Sequence, residues 1–289
     1  MSKTIIFSVY RYQILPISNN LQTRIDFNFN SIDELISEKN NIFREVILNP
    51  KTKFRGKGYN VLSKFEESFD DTYFLRMGVE KKVNIRDKDF VSKTENDYPN
   101  SLVYIDNAND KQYLLIEHQS DAFYKTSVLK NIIEKSMQNY LYEYGLSVYI
   151  SKVTSISDFW ETIMEYKGRI KSLRFNFIRP NMSNISGKAV EAIKILKNES
   201  NSHKTLLELN APKNGVLENL TPDNQDIEGL AEYCSDGGGT PSIKITGVRK
   251  RIKTNKKEIT IELDEVNFNN QPLKKVHKFL DLFLNNLDD

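Results

Sequence analysis

Apolar positions along this chain change period several times, and each change marks an element. From Thr4 to Leu15, Ile5, Phe7, Val9 and Leu15 mix with Tyr10 and Tyr12 in a β-rich run that stops at Pro16. Helical spacing follows through Ile32, Leu35, Ile36, Ile42, Phe43, Val46 and Ile47 as far as Pro50, behind Ser31 and Glu34 at capping-box separation. Lys51 to Gly58 reads as a basic loop. Alternation returns from Thr72 to Arg86 through Tyr73, Leu75, Met77, Val79, Val83 and Ile85, and a polar stretch runs from Asp87 to Asn100. Leu102 to Ile105 and Tyr113 to Glu117 flank a linker of turn-forming residues, which predicts a hairpin. Asp121 to Tyr144 is a long helix by the spacing of Val128, Leu129, Ile132, Ile133, Met137, Tyr140 and Leu141. Gly145 stops it and Leu146 to Ile150 forms a strand.

The second half repeats the mixture with different elements. A helix starts at Ser157-Asp158 and carries Phe159, Trp160, Ile163 and Met164. Leu173, Phe175 and Phe177 mark a strand that stops at Arg179-Pro180-Asn181. A helix is expected over Ser186 to Asn198, a strand over Thr205 to Leu209, and a helix from Thr221-Pro222 to just before Asp236. Ser242 to Thr254 and Glu258 to Asp264 are expected to form a hairpin around Asn255-Lys256-Lys257, and an amphipathic helix closes the chain over Pro272 to Leu287. The expected fold class is therefore α+β: a mixed or antiparallel sheet core with flanking helices, in the order α-β-β-β-α-β over residues 31–150, and a second, smaller α+β unit. Domains are expected at 1–152 and 157–289.

Composition narrows the functions that such a fold can carry. A formal net charge of +2 over 289 residues rules out a basic field over the whole surface and leaves room for a local basic patch. The single Cys234 excludes an internal disulfide, and three dispersed histidines, His118, His203 and His277, make an all-protein transition-metal site a poor expectation. No apolar run approaches the length needed to span a bilayer, so the expectation is a cytoplasmic protein with no membrane partner. Cys234 reads as a small apolar filler, Trp160 and Phe159 as core, and Gly237-Gly238-Gly239 as a flexible connection lacking the Lys-Ser/Thr of a phosphate loop.

Two stretches carry candidate chemistry. The first is Leu114-Leu115-Ile116-Glu117-His118-Gln119-Ser120, in which strand alternation puts Glu117 and Gln119 on one face and His118 on the other. The run and the element order around it resemble restriction-endonuclease-like nucleases, in the Glu-x-Gln form of the recombination-promoting nucleases. That resemblance implies a magnesium-dependent nuclease with Glu117 and Gln119 as catalytic residues and Glu117 as a metal ligand. The second ligand should stand near Asn100 or Ser101. Asp97 is the candidate for it, as catalytic residue and as metal ligand, with Glu38 or Glu45 as supplements.

The second stretch, Thr240 to Lys257, holds Lys244, Arg249, Lys250, Arg251, Lys253, Lys256 and Lys257 and no acid, a composition suited to neutralising consecutive phosphates of DNA or RNA. The competing reading pairs these cations with Glu258, Glu262, Asp264 and Glu265 across the expected hairpin. Lys51, Lys53, Arg55 and Lys57 form a second basic loop. In length, element order and the Phe-Ile-Arg-Pro-Asn segment the chain resembles uncharacterised bacterial proteins associated with phage defence. The expected function is a nucleic-acid-binding component of a phage-defence or genome-conflict system, with a partner protein of the same operon. The alternatives are the magnesium-dependent nuclease and a non-enzymatic scaffold or sensor, a homo-oligomer assembled through Phe279, Leu280, Phe283 and Leu284 of the last helix.

Overall fold

The structure is a computed structural model and describes residues 4–18, 29–56, 58–86, 88–109, 111–178, 202–264 and 272–288. The helix expected over Ser186 to Asn198 lies outside these residues. The chain divides into two compact units, one of Met1–Val9, Lys39–Tyr144 and Thr260–Asp289, the other of Tyr10–Glu38 and Gly145–Ile259.

The first unit is an antiparallel sheet flanked by helices. β1 (Thr4–Pro16) enters it with its first half. Helix α1 (Ile32–Leu48), which belongs to this unit from Lys39 onward, is followed by β2 (Phe54–Gly56), β3 (Tyr59–Phe69), β4 (Thr72–Val79), β5 (Lys81–Arg86), β6 (Ser92–Asp97), β7 (Asn100–Asp106), β8 (Tyr113–Glu117) and α2 (Thr126–Glu143). With β14 (Thr260–Asp264), the strand order is β14-β1-β8-β7-β4-β3-β2, and β5 pairs with β6 alone. The expected hairpin is β7–β8, with Val103 opposite Ile116 and Asp106 opposite Tyr113.

Burial explains the order. β4, β7 and β8 are covered on both faces, so apolar residues succeed one another without alternation. α2 buries Leu129, Ile132, Ile133, Met137 and Leu141, and Gly145 at φ 72 ends it. The expected cap of α1 is present. The Glu34 amide donates to Ser31 Oγ at 3.1 Å, and Glu34 Oε2 accepts from the Asn30 amide at 2.6 Å. The β7–β8 turn is held from α1: Asn40 Nδ2 donates to the Asn107 carbonyl at 2.6 Å, Asn107 Nδ2 to the Asn40 carbonyl at 2.8 Å, and Gln112 Nε2 to Asn40 Oδ1 at 2.8 Å. The closing helix, α5 (Leu273–Asp288), buries Val276, Leu280 and Leu284 and leaves Phe279 and Leu282 exposed.

In the second unit the latter half of β1 pairs with β9 (Leu146–Lys152), from Tyr10 opposite Lys152 to Pro16 opposite Leu146. After α3 (Ile156–Glu165), a four-stranded sheet runs β11-β10-β12-β13, built from β10 (Ile170–Ile178), β11 (Lys204–Asn210), β12 (Gly239–Ile245) and β13 (Ile252–Lys253). Its inner face and helix α4 (Gln225–Tyr233) enclose a core of Phe159, Leu173, Phe175, Phe177, Leu230 and Ile243. Trp160 packs against that core and Cys234 is buried within it, as expected.

The structure departs from expectation in this unit at three places. α4 starts at Asn224, whose side chain caps Ile227, three residues beyond Thr221. The three glycines are a packed turn, because a side chain on Gly238 would stand 2.3 Å from the Tyr233 ring and one on Gly239 2.3 Å from the Asn176 carbonyl oxygen. The expected hairpin over Ser242 to Asp264 does not form: β12 pairs with β13, and β14 pairs with β1, Ile6 opposite Glu262 and Thr4 opposite Asp264.

Candidate nucleic-acid interface

Glu117 closes β8 with its side chain 5% exposed. Its Oε2 accepts from the Leu102 amide at 2.8 Å and its Oε1 from Gln119 Nε2 at 2.8 Å, so the two residues of the Glu-x-Gln pattern do meet. They meet as a hydrogen-bonded pair in which neutral donors occupy both carboxylate oxygens. Asp97 is exposed on β6, opposite Lys81, and its Oδ1 accepts from the Tyr98 amide at 2.8 Å. Ser101, where the resemblance requires a second carboxylate, is buried. Among the described residues no three His, Cys, Asp or Glu side chains gather as a metal site. His118 makes a contact that its sequence position gave no sign of: its Nε2 lies 2.7 Å from Oγ of Ser8, which is itself fully buried and accepts from Thr126 Oγ1 at 3.0 Å.

This geometry makes Glu117 an acceptor that the sheet depends on. In Glu117→Ala the buried Leu102 amide and the Gln119 side chain lose their partner, an expected cost of about 1–3 kcal/mol in urea denaturation. Glu117→Gln keeps an oxygen for the Leu102 amide and is expected to recover part of the loss. Equal stability of all three proteins contradicts the assignment.

The basic stretch has a different character. Residue alternation on β10 and β12 sends Phe175, Phe177 and Ile243 into the core, and Ser172, Arg174, Asn176, Ser242 and Lys244 to the other face of the sheet. Arg251 joins that face. It donates to Ser172 Oγ at 2.6 Å and pairs with Glu208, which also receives Arg174 Nη2 at 2.6 Å and Ser172 Oγ at 3.0 Å. The Glu208 carboxyl is held below its ordinary range, first by Arg174, then by Ser172 and Arg251, against the opposing effect of desolvation. Two guanidiniums on one carboxylate leave the cluster positive. Glu208 is a partner that the sequence concealed, because it lies 43 residues from Arg251 in the chain.

The rest of the stretch is free of acids. Lys244 donates to the Arg249 carbonyl. Arg249, Lys250, Lys253, Lys256 and Lys257 are exposed, and none is in an ion pair among the described residues. The backbone amides of Lys256 and Lys257 are pinned by Asp158, the latter at 3.1 Å, so both side chains leave from a fixed point. Of the acids expected to neutralise this stretch, Glu265 lies outside the described residues and the other three are placed elsewhere. Glu258 pairs with Lys152 at 3.5 Å, and Glu262 and Asp264 belong to β14, laid against β1.

The second basic loop also has a defined setting. Its β2 is tied to α2 by the Lys53 amide on Tyr140 Oη at 2.9 Å and the Arg55 amide on Ser136 Oγ at 3.1 Å. Lys53, Arg55 and Lys64 line an open cleft of about 640 Å³ with Ile47, Val61 and Phe65. No protein-family model matches this chain, and no curated protein is similar to it in sequence. No helix among the described residues is long and apolar enough to cross a membrane.

Proposed function

We propose that this chain binds nucleic acid through the basic stretch of its second unit. The observation that carries the reading is the separation of charges. Five exposed cations between Arg249 and Lys257 have no carboxylate partner among the described residues, while Glu258 pairs with Lys152 and Glu262 and Asp264 lie on the strand laid against β1. Solvated cations without local counter-charges are the groups that exchange condensed ions for contacts on a phosphate backbone. Asn176 and Thr240, exposed on the neighbouring strands, add hydrogen-bonding groups suited to phosphate or sugar oxygens.

The test is fluorescence anisotropy of the full chain with labelled single-stranded and duplex DNA and RNA, begun at low salt and repeated as salt rises. Binding that weakens linearly on a log-log salt plot is the expected result. Retention of no nucleic acid even at low salt removes the reading. The nuclease alternative needs a carboxylate pair open to a metal ion, and no described feature favours it over binding.

A further inference from the structure

Strands β5 and β6 stand apart from both sheets, and their register explains what they are. β4 and β7 pair from Thr72 opposite Asp106 to Gly78 opposite Asn100, and the same register continues through Lys81 opposite Asp97 to Arg86 opposite Ser92. The two pairs are one long hairpin. Its inner part lies in the sheet of the first unit, and its outer part leaves the sheet as a two-stranded arm of six residue pairs, about 20 Å long at about 3.4 Å per residue. Every residue of the arm is exposed except Val83, which is half-buried.

The two faces of the arm differ. One carries Lys81, Val83 and Ile85 with Asp97, Glu95 and Lys93, and its Lys81 donates to the Asp121 carbonyl. The other carries Lys82, Asn84 and Arg86 opposite Asn96, Thr94 and Ser92. This second face has two cations, four hydrogen-bonding neutral side chains, no apolar residue and no acid of its own. Thr94 Oγ1 donates to Asn84 Oδ1 at 2.8 Å, and Asn96 Nδ2 reaches Glu80 at the arm's base at 2.6 Å. Lys82, Arg86 and the tip residue Lys88 are exposed and make no ion pair among the described residues. Phe90 crowns the tip, 84% exposed.

We infer that this arm enters the major groove of duplex DNA. A face without apolar side chains is a poor core for a protein interface, where lysine is depleted and aromatic residues are enriched. Asn, Ser, Thr, Lys and Arg are the side chains that reach base edges and phosphates. The B-form major groove is about 12 Å wide and admits a two-stranded β-ribbon, whereas the A-form major groove of duplex RNA is too deep and narrow for side chains to read. Phe90 at the tip supplies the apolar surface that a thymine methyl group takes.

This inference rests on the proposed nucleic-acid binding but assigns it a second contact and a substrate class, and the experiment separates the two. Anisotropy of the full chain is measured with one sequence as duplex DNA and as duplex RNA, for the parent and for Lys82→Ala combined with Arg86→Ala. Both substitutions are on exposed positions, and circular dichroism checks the fold. The expected result is a salt slope for duplex DNA smaller by about 2, with duplex RNA unaffected, since each lost phosphate contact removes about 0.9 from the slope. A parent-like DNA slope in the double variant, or an equal loss on RNA, overturns the arm's role and leaves nucleic-acid binding standing. No binding by the parent removes both. A self-associated parent that Phe90→Asp dissociates in sedimentation velocity also overturns it, because the arm then docks on a second copy of this chain.

Discussion

Replacement of Arg249, Lys250, Lys253, Lys256 and Lys257 by glutamine is expected to abolish most nucleic-acid affinity at moderate salt while the protein stays folded. If all five contact phosphates, the log-log salt slope falls in magnitude by about 4–5, and affinity at about 0.1 M salt drops by roughly a hundredfold or more. Stability should hardly change, because these side chains are exposed and take no part in ion pairs among the described residues. Substitutions of that kind usually stay within about 0.5 kcal/mol of the parent. Arg251 is left out deliberately: it belongs to the Glu208 cluster, and its loss removes a contact of that carboxylate. Anisotropy and urea denaturation on the same preparation decide the matter. An unchanged salt slope places the contact surface elsewhere on the molecule.

The α+β class was legible because the strongest elements have the clearest period. α1, α2 and α5 carry apolar residues at intervals that admit one secondary structure, β1 is a β-rich run closed by Pro16, and Ser31 and Gly145 punctuate the helices where capping chemistry requires. β3 escaped because Tyr59–Phe69 lies mostly open to solvent and a register shift between Phe65 and Glu67 breaks its alternation. β6 escaped for a simpler reason. Ser92–Asp97 contains no apolar residue and is a strand only because β5 lies beside it.

The failed hairpin over Ser242 to Asp264 shows where local reasoning ends. Both segments have strand-like patterns, and a short polar link between such segments is ordinarily a turn. The partner of β14, however, is the first strand of the chain, and nothing within Thr260–Asp264 specifies a contact more than 250 residues away. That pairing decides the candidate site as well, since it assigns Glu262 and Asp264 to β1. Of the Glu-x-Gln motif, spacing predicted that Glu117 and Gln119 share a face. It could not reveal that the Leu102 amide and Gln119 occupy both carboxylate oxygens, because Leu102 arrives from the neighbouring strand.

Gly239→Ala is expected to be strongly destabilising to the second unit. Gly239 opens β12 opposite Phe177, and its φ of 174° is extended backbone that alanine adopts without strain. The obstacle is space: an added Cβ falls 2.3 Å from the Asn176 carbonyl oxygen and 3.0 Å from Cys234 Sγ. Asn176 belongs to β10, the strand between β11 and β12, whose Phe175 and Phe177 are buried in the core. Relief therefore requires β10 to move and two packed phenylalanines to follow. Overpacking typically costs about 1–3 kcal/mol, and a clash with strand backbone belongs at the upper end of that range, a large fraction of the stability of a marginal domain. Gly247→Ala is the matched control, because Gly247 has open space around it and a φ of 79°, so alanine there carries only the left-handed penalty of about 1–2 kcal/mol. Urea denaturation that ranks Gly239→Ala well below Gly247→Ala supports the close approach of β12 to β10 that sets the outward face of the sheet. The reverse order removes that approach, and with it the position of Ser242 and Lys244 beside Arg174.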